Sequence, residues 1–153
     1  MLIRSLVATD IPELAKLMAG TPLWQRYGVS EASATARLQS GLDQAATILV
    51  AEVEGRAAGF LWYVQRGAFQ RSGYVMLIGV QPHLRGQGVG EALMAEAEAQ
   101  MFASTNSICL LVSDFNEAAQ RFYQRLGYSQ VGSLPDYVVP GVNELIYYKH
   151  SRE

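Results

Sequence analysis

Two stretches of this chain place residue types at spacings that could do chemistry. The first is Arg85-Gly86-Gln87-Gly88-Val89-Gly90, three alternating glycines after an apolar run that reads as a strand and before a run that reads as a helix. Without Cβ atoms the backbone can turn sharply there and bring several N–H groups onto one ligand. Those groups are the donors a helix leaves unpaired at its start, where the helix dipole adds partial positive charge. A phosphate suits such a turn without lysines, and Arg85 can add a charge-assisted contact at the rim. A turn that binds nothing needs one glycine rather than three, because each costs entropy on folding. A dinucleotide fingerprint would require Gly-x-Gly-x-x-Gly early in a βαβ unit, and a P-loop would require Gly-Lys-Ser/Thr. Here the third glycine comes too soon, no lysine follows it, and the motif sits mid-chain.

The second stretch runs from Asn116 to Tyr128, Asn-Glu-Ala-Ala-Gln-Arg-Phe-Tyr-Gln-Arg-Leu-Gly-Tyr. Asn116 is a good helix N-cap, and Ala119, Phe122 and Leu126 predict a buried stripe. Asn116 and Tyr123 stand two helical turns apart and so point the same way. Taken alone, Asn116 is a cap and Tyr123 a core aromatic.

Together these stretches resemble the GNAT superfamily of acetyltransferases. The match runs from Val80-Gln81-Pro82 through Gly90, following that family's Arg/Gln-x-x-Gly-x-Gly/Ala pattern, and again over the asparagine–tyrosine helix. It is tight over about residues 74–128, and in element order it extends to the whole chain. The second half looks most like the ribosomal-protein alanine N-acetyltransferase branch. The resemblance implies acetyl-CoA as co-substrate and no metal. By it, Ile78, Gly79 and Val80 supply main-chain contacts to the pantetheine arm, and Arg85, Gly86, Gln87, Gly88, Val89, Gly90 and Glu91 wrap the pyrophosphate. Asn116 holds the cofactor, and Tyr123 is the general acid. A phenol with an ordinary pKa of ~10 can protonate the departing thiolate.

The implied reaction is direct attack of a primary amine, of a small molecule or of a protein N-terminus or lysine, on the thioester. The oxyanion would be held by a backbone N–H of strand 74–80. Alternatives are a non-catalytic acyl-CoA sensor, or an acyltransferase using another acyl group. A general base is missing: family members place a glutamate on the strand before the glycine loop or before the asparagine, and neither 74–80 nor 108–112 has a carboxylate. The nearest acids, Asp114 and Glu144, read as solvated or capping, and His83 as a surface residue. Trp24 and Tyr137 either line an acceptor pocket or close the core.

The elements that must position these residues alternate along the chain. Strands are expected at 2–8, 46–53, 58–65, 74–80, 108–112, 128–131 and 144–149, the second and third joined as a hairpin by the turn Glu54-Gly55-Arg56. Helices are expected at 11–19 (capped by Thr9 or Asp10), after a Ser30 cap to about Leu42, from the glycine loop to about Phe102, and at 116–126, ended by Gly127. The helix between strands 74–80 and 108–112 makes them parallel neighbours. The expected fold is α/β (α+β): a GNAT-like mixed, largely antiparallel sheet of about six to seven strands with helices on both faces.

The 153 residues fit a single acetyltransferase domain, 1–153. Half the residues are hydrophobic, 17% are charged and the net charge is −2 with scattered Lys and Arg, which argues against a nucleic-acid partner. No run is long and apolar enough to span a membrane, and the N-terminus reads as a strand rather than a leader. The lone Cys109, in an apolar run, excludes a disulfide framework and suits the cytoplasm. Edge strands leave room for a homodimer.

Overall fold

A computed structural model describes residues 1–151 of the protein. The elements run β1 (Leu2–Ser5), α1 (Ile11–Gly20), α2 (Pro22–Arg26), α3 (Glu31–Asp43), β2 (Thr47–Val53), β3 (Arg56–Ala68), β4 (Ser72–Val80), α4 (Val89–Phe102), β5 (Ser107–Ser113), α5 (Glu117–Arg125), β6 (Ser129–Leu134) and β7 (Glu144–His150). Seven strands form one open sheet in the order β1-β2-β3-β4-β5-β7-β6. β1 with β2, β2 with β3, β5 with β7 and β6 with β7 are antiparallel; β4 and β5 are parallel, as a helical crossover requires. This is the mixed, largely antiparallel α/β fold expected from the sequence. The chain divides into two compact units, Met1–Tyr63 with Leu77–Ala99, and Val64–Met76 with the chain from Gln100 onward.

In the first unit, α1 buries Ile11, Leu14, Ala15, Leu17 and Met18, the spacing of one apolar helical face. The expected cap from Thr9 or Asp10 does not form, because the Asp10 carboxylate turns back towards the first strand. It accepts hydrogen bonds from Arg4 at 2.8 and 2.9 Å and from the Val7 N–H at 2.9 Å. Burial alone would push this carboxyl up; the Arg4 and Val7 hydrogen bonds and the Arg4 charge outweigh it, so it lies below its ordinary value. Residues 22–26, between the first two expected helices, form the short α2, with Pro22 pre-setting its first turn. Ser30 caps α3 as expected, its Oγ accepting from the Ser33 N–H at 3.1 Å while Ser33 Oγ accepts from the Ser30 N–H at 2.9 Å. β2 and β3 join through Glu54-Gly55, both with positive φ, a two-residue turn that suits the twist of a hairpin.

In the second unit, β5 lies between β4 and β7, and Ile108, Leu110 and Val112 pack with Val75 and Tyr147 in its core. Helix α5 stops at Gly127 (φ +96°), where the Gly127 and Tyr128 N–H groups donate to the Gln124 and Tyr123 carbonyls. Only glycine adopts that left-handed stop at little cost.

Candidate active site

The end of β4 and the loop after it belong to the first unit. The residues from Met76 to Val80 are apolar or glycine, yet each is only half-buried, although β4 is central in the sheet. Gly79 is small for a packing reason: a Cβ there would stand 2.7 Å from the Trp24 ring and 3.0 Å from that of Phe60. Trp24 is buried and its ring meets Phe60 at 5.9 Å between centroids, so it closes the core. Tyr137, by contrast, is 61% exposed.

Past Val80 the Gln81 N–H donates to the Ala58 carbonyl at 2.8 Å, and one 3₁₀ turn (Pro82–Leu84) leads to Arg85. Gly86 and Gly88 then take φ values of +76° and +85°. No atom lies within 4 Å of a Cβ built on Gly86, and only the Glu91 Oε2, at 3.6 Å, meets one built on Gly88. Packing therefore does not demand these glycines; the left-handed backbone does. Space is left open over the first turn of α4, where the leading N–H groups have no acceptor inside the helix. Arg85, Gly86, Gln87 and Glu91 are exposed, Gly88 and Gly90 half-buried, and Val89 is buried and anchors the turn. His83 is exposed, as expected, and its carbonyl accepts from Gln87 Nε2 at 3.2 Å. A separate cleft of about 640 Å³ opens against the 81–84 segment and is lined also by Lys16 and Arg56. None of the expected cofactor contacts lines it.

Asn116 and Tyr123 lie in the second unit. Asn116 caps α5 as expected: its Oδ1 accepts from the Ala119 N–H at 3.2 Å, and its own N–H donates to the Ser113 carbonyl at 2.9 Å. The expected stripe of Ala119, Phe122 and Leu126 is corrected, because all three are half-buried and Tyr123 is the buried residue of α5. Its ring meets those of Phe122 and Tyr128 edge-on, at 5.1 and 5.8 Å, and Lys149 Nζ sits 5.6 Å from the Tyr128 ring centre. Burial pushes the Tyr123 phenol well above its ordinary value.

Of the two acids near α5, Glu144 differs from expectation and Asp114 does not. The Glu144 carboxylate is buried rather than solvated, and it accepts from Ser113 Oγ at 3.1 and 3.3 Å. Asp114 is exposed but engaged: its Oδ2 accepts from the Asn143 N–H at 3.1 Å, and its N–H donates to the Asn143 carbonyl at 2.9 Å. A lone acid opening an aromatic strand carries no local signal, so register alone identifies Glu144 as buried. Among the described residues no three His, Cys, Asp or Glu side chains are grouped to hold a metal ion. No helix there is long and apolar enough to cross a membrane.

The model of the acetyltransferase (GNAT) family matches residues 12–128. The chain belongs to this family. An uncharacterised N-acetyltransferase of Methanocaldococcus jannaschii is 34% identical over 102 residues, 65% of this chain and 64% of that protein. The chain thus spans under two thirds of that relative's length. Among solved structures, a ribosomal-protein-alanine N-acetyltransferase from Brucella melitensis superposes with a TM-score of 0.79 at 21% identity, covering 98% of this chain and 99% of that one. An aminoglycoside 6'-N-acetyltransferase complexed with coenzyme A gives 0.77 at 16% identity, covering 98% and 97%. Both likenesses are of fold, over nearly the whole GNAT chain.

Proposed function

We propose that the protein is an acetyl-CoA-dependent N-acetyltransferase that moves an acetyl group directly to a primary amine. The observation that carries this reading is the loop before α4. Two of its glycines are left-handed at a helix start, Gly86 facing open space and Gly88 only the flexible Glu91 carboxylate, in a chain of a family named for acetyl transfer. Main-chain groups of Arg85 through Glu91 would hold the pyrophosphate, with the Arg85 guanidinium at the rim. Ile78, Gly79 and Val80, half-buried at the end of β4, would meet the pantetheine arm, and Asn116 would steady it.

The acceptor ammonium first loses one proton. The neutral amine then attacks the thioester carbon, forming C–N and moving the carbonyl π pair onto oxygen, where a β4 N–H stabilises it. Collapse restores C=O and breaks C–S. The thiolate takes a proton from the Tyr123 hydroxyl; the second proton leaving nitrogen passes to solvent, from which the phenolate regains one. The Tyr123 phenol is protonated at neutral pH, and burial holds it so more firmly, so the hydroxyl carries the proton to give. The acceptor would be a small-molecule amine or a protein amine. The free, buried thiol of Cys109 would suit a cytoplasmic setting.

The test is thiol release and product mass with acetyl-CoA and a panel of amines and N-terminal peptides. Acetylated amine with stoichiometric coenzyme A is expected. Tight coenzyme A binding with no thiol release from any amine would leave a sensor module instead.

A further inference from the structure

An ammonium acceptor needs a base, and neither β4 nor β5 offers a carboxylate. Strand register shows where one stands. On β7, the Tyr147 hydroxyl accepts from Gln124 Nε2 of α5 at 3.3 Å, and Lys149 lies over Tyr128. Tyr147 and Lys149 therefore face α5, and alternation turns Glu144, Ile146 and Tyr148 to the other face. The pairs Leu110↔Tyr147 and Ser113↔Glu144 carry the same division onto β5. Glu144 and the α5 tyrosine thus occupy opposite faces of this part of the sheet.

Glu144 is 6% exposed, and its carboxylate is oriented by the Ser113 hydroxyl. Ser113 in turn holds the start of α5, through the hydrogen bond from the Asn116 N–H to its carbonyl. The residue before Glu144 is clamped by both Asp114 hydrogen bonds. Asn143 Oδ1 accepts from the Asp136 N–H at 3.4 Å, and Asp136 Oδ1 from the Gly141 N–H at 2.7 Å. These ties fix the loop between β6 and β7, which presents Tyr137 and Val138 to solvent. Glu144 is therefore a rigidly placed carboxylate at the root of a loop with exposed apolar side chains, away from the face that holds the acid.

We propose that Glu144 is the general base of this chain, taking the ammonium proton of the acceptor on the sheet face opposite Tyr123 and passing it to solvent; this rests on the acetyl-transfer reading above. Placing acid and base on opposite faces keeps the proton taken from nitrogen from being handed straight to sulfur, so each group holds one role. Within this unit the other titratable groups on its face include Tyr148 and His150 of β7, Cys109 of β5 and Tyr74 of β4, which pairs with Cys109; Asp114 and Asp136 lie in the adjoining loops.

The experiment is the pH profile of kcat/KM for the full chain with a primary amine, for wild type, Glu144→Gln and Glu144→Asp. Glu144→Gln is expected to lower kcat about 100-fold or more, the usual scale of a general base. It should abolish the acidic limb of the profile and leave coenzyme A affinity unchanged. An acceptor already neutral at the assay pH, such as an acyl hydrazide, should recover most of the rate. Glu144→Asp should keep the limb with a shifted midpoint, which also covers a glutamine variant that fails to fold. A limb and rate unchanged in either variant overturn the base while leaving acetyl transfer standing. No thiol release by wild type with any amine overturns both.

Discussion

The glycine loop and the α5 region are built on opposite plans. The loop is exposed, its chemistry lies in main-chain N–H groups, and its glycines stand over open space. Around α5, one tyrosine is buried in a cluster of aromatic edges, and a carboxylate is sealed against a serine on a neighbouring strand pair. The first arrangement can be filled by a charged ligand with little desolvation of side chains, and in the second burial raises the Tyr123 phenol above its ordinary value. Under the proposed function most cofactor contacts fall in the loop and the proton donor in the α5 region, so variants should separate affinity from rate.

The largest separation should come from Tyr123→Phe. The expected loss in kcat is about 100-fold or more, with the dissociation constant for coenzyme A unchanged by calorimetric titration. A rate within threefold of wild type would remove Tyr123 as the acid. The same residue gives a pH signature of stability. Its phenol is raised in the folded state, so above pH ~10 the unfolded chain ionises first and binds fewer protons. Stability at this site is therefore full below that pH and falls as pH rises beyond it. Alkaline unfolding followed by circular dichroism should begin at higher pH in the phenylalanine variant.

Gly88→Ala should do the reverse, weakening coenzyme A binding while leaving kcat at saturation nearly intact. A Cβ at φ +85° meets only a flexible carboxylate at 3.6 Å, so the protein tolerates it sterically. The left-handed backbone still costs roughly 1–2 kcal/mol, and the methyl group intrudes where a phosphate must approach. About a tenfold weaker affinity is expected if one such increment falls on binding. Unaltered affinity would sever the loop from the cofactor.

Gly41→Ala tests whether a glycine outside both regions is demanded by packing instead. Alanine normally favours a helix by about 1 kcal/mol, but a Cβ here would stand 2.5 Å from the Trp62 ring. The melting temperature should therefore fall, with coenzyme A affinity unchanged. The smallest effect is expected from Glu91→Gln. Its carboxylate sits beside Gly88 at the helix start and competes with an anionic ligand. Removing the charge should tighten coenzyme A by about two- to fivefold, from a helix-terminus contribution of roughly 0.3–1 kcal/mol.

Much of the fold was legible because local signals and tertiary structure agree. The Ser30 cap, the Glu54-Gly55 turn, the Gly127 stop and the parallel crossover from β4 to β5 each follow from residue chemistry over a few positions. Where tertiary contacts competed, the local reading failed. Asp10 turned from the helix start to Arg4 and the Val7 N–H, and on α5 the buried place belongs to Tyr123 rather than Phe122, its ring set against those of Phe122 and Tyr128.

By itself, the sequence determined the glycine loop, since left-handed φ values are written in residue identity and need no distant partner. It also determined the Asn116 cap and the family to which the chain belongs. Only the tertiary structure decided that Trp24 closes the core over Gly79, that Asp114 is a clamp, and that Glu144 is a buried carboxylate on the face away from α5. A side chain's burial and facing depend on strand register against residues about 30 positions away. No short window of sequence contains that pairing.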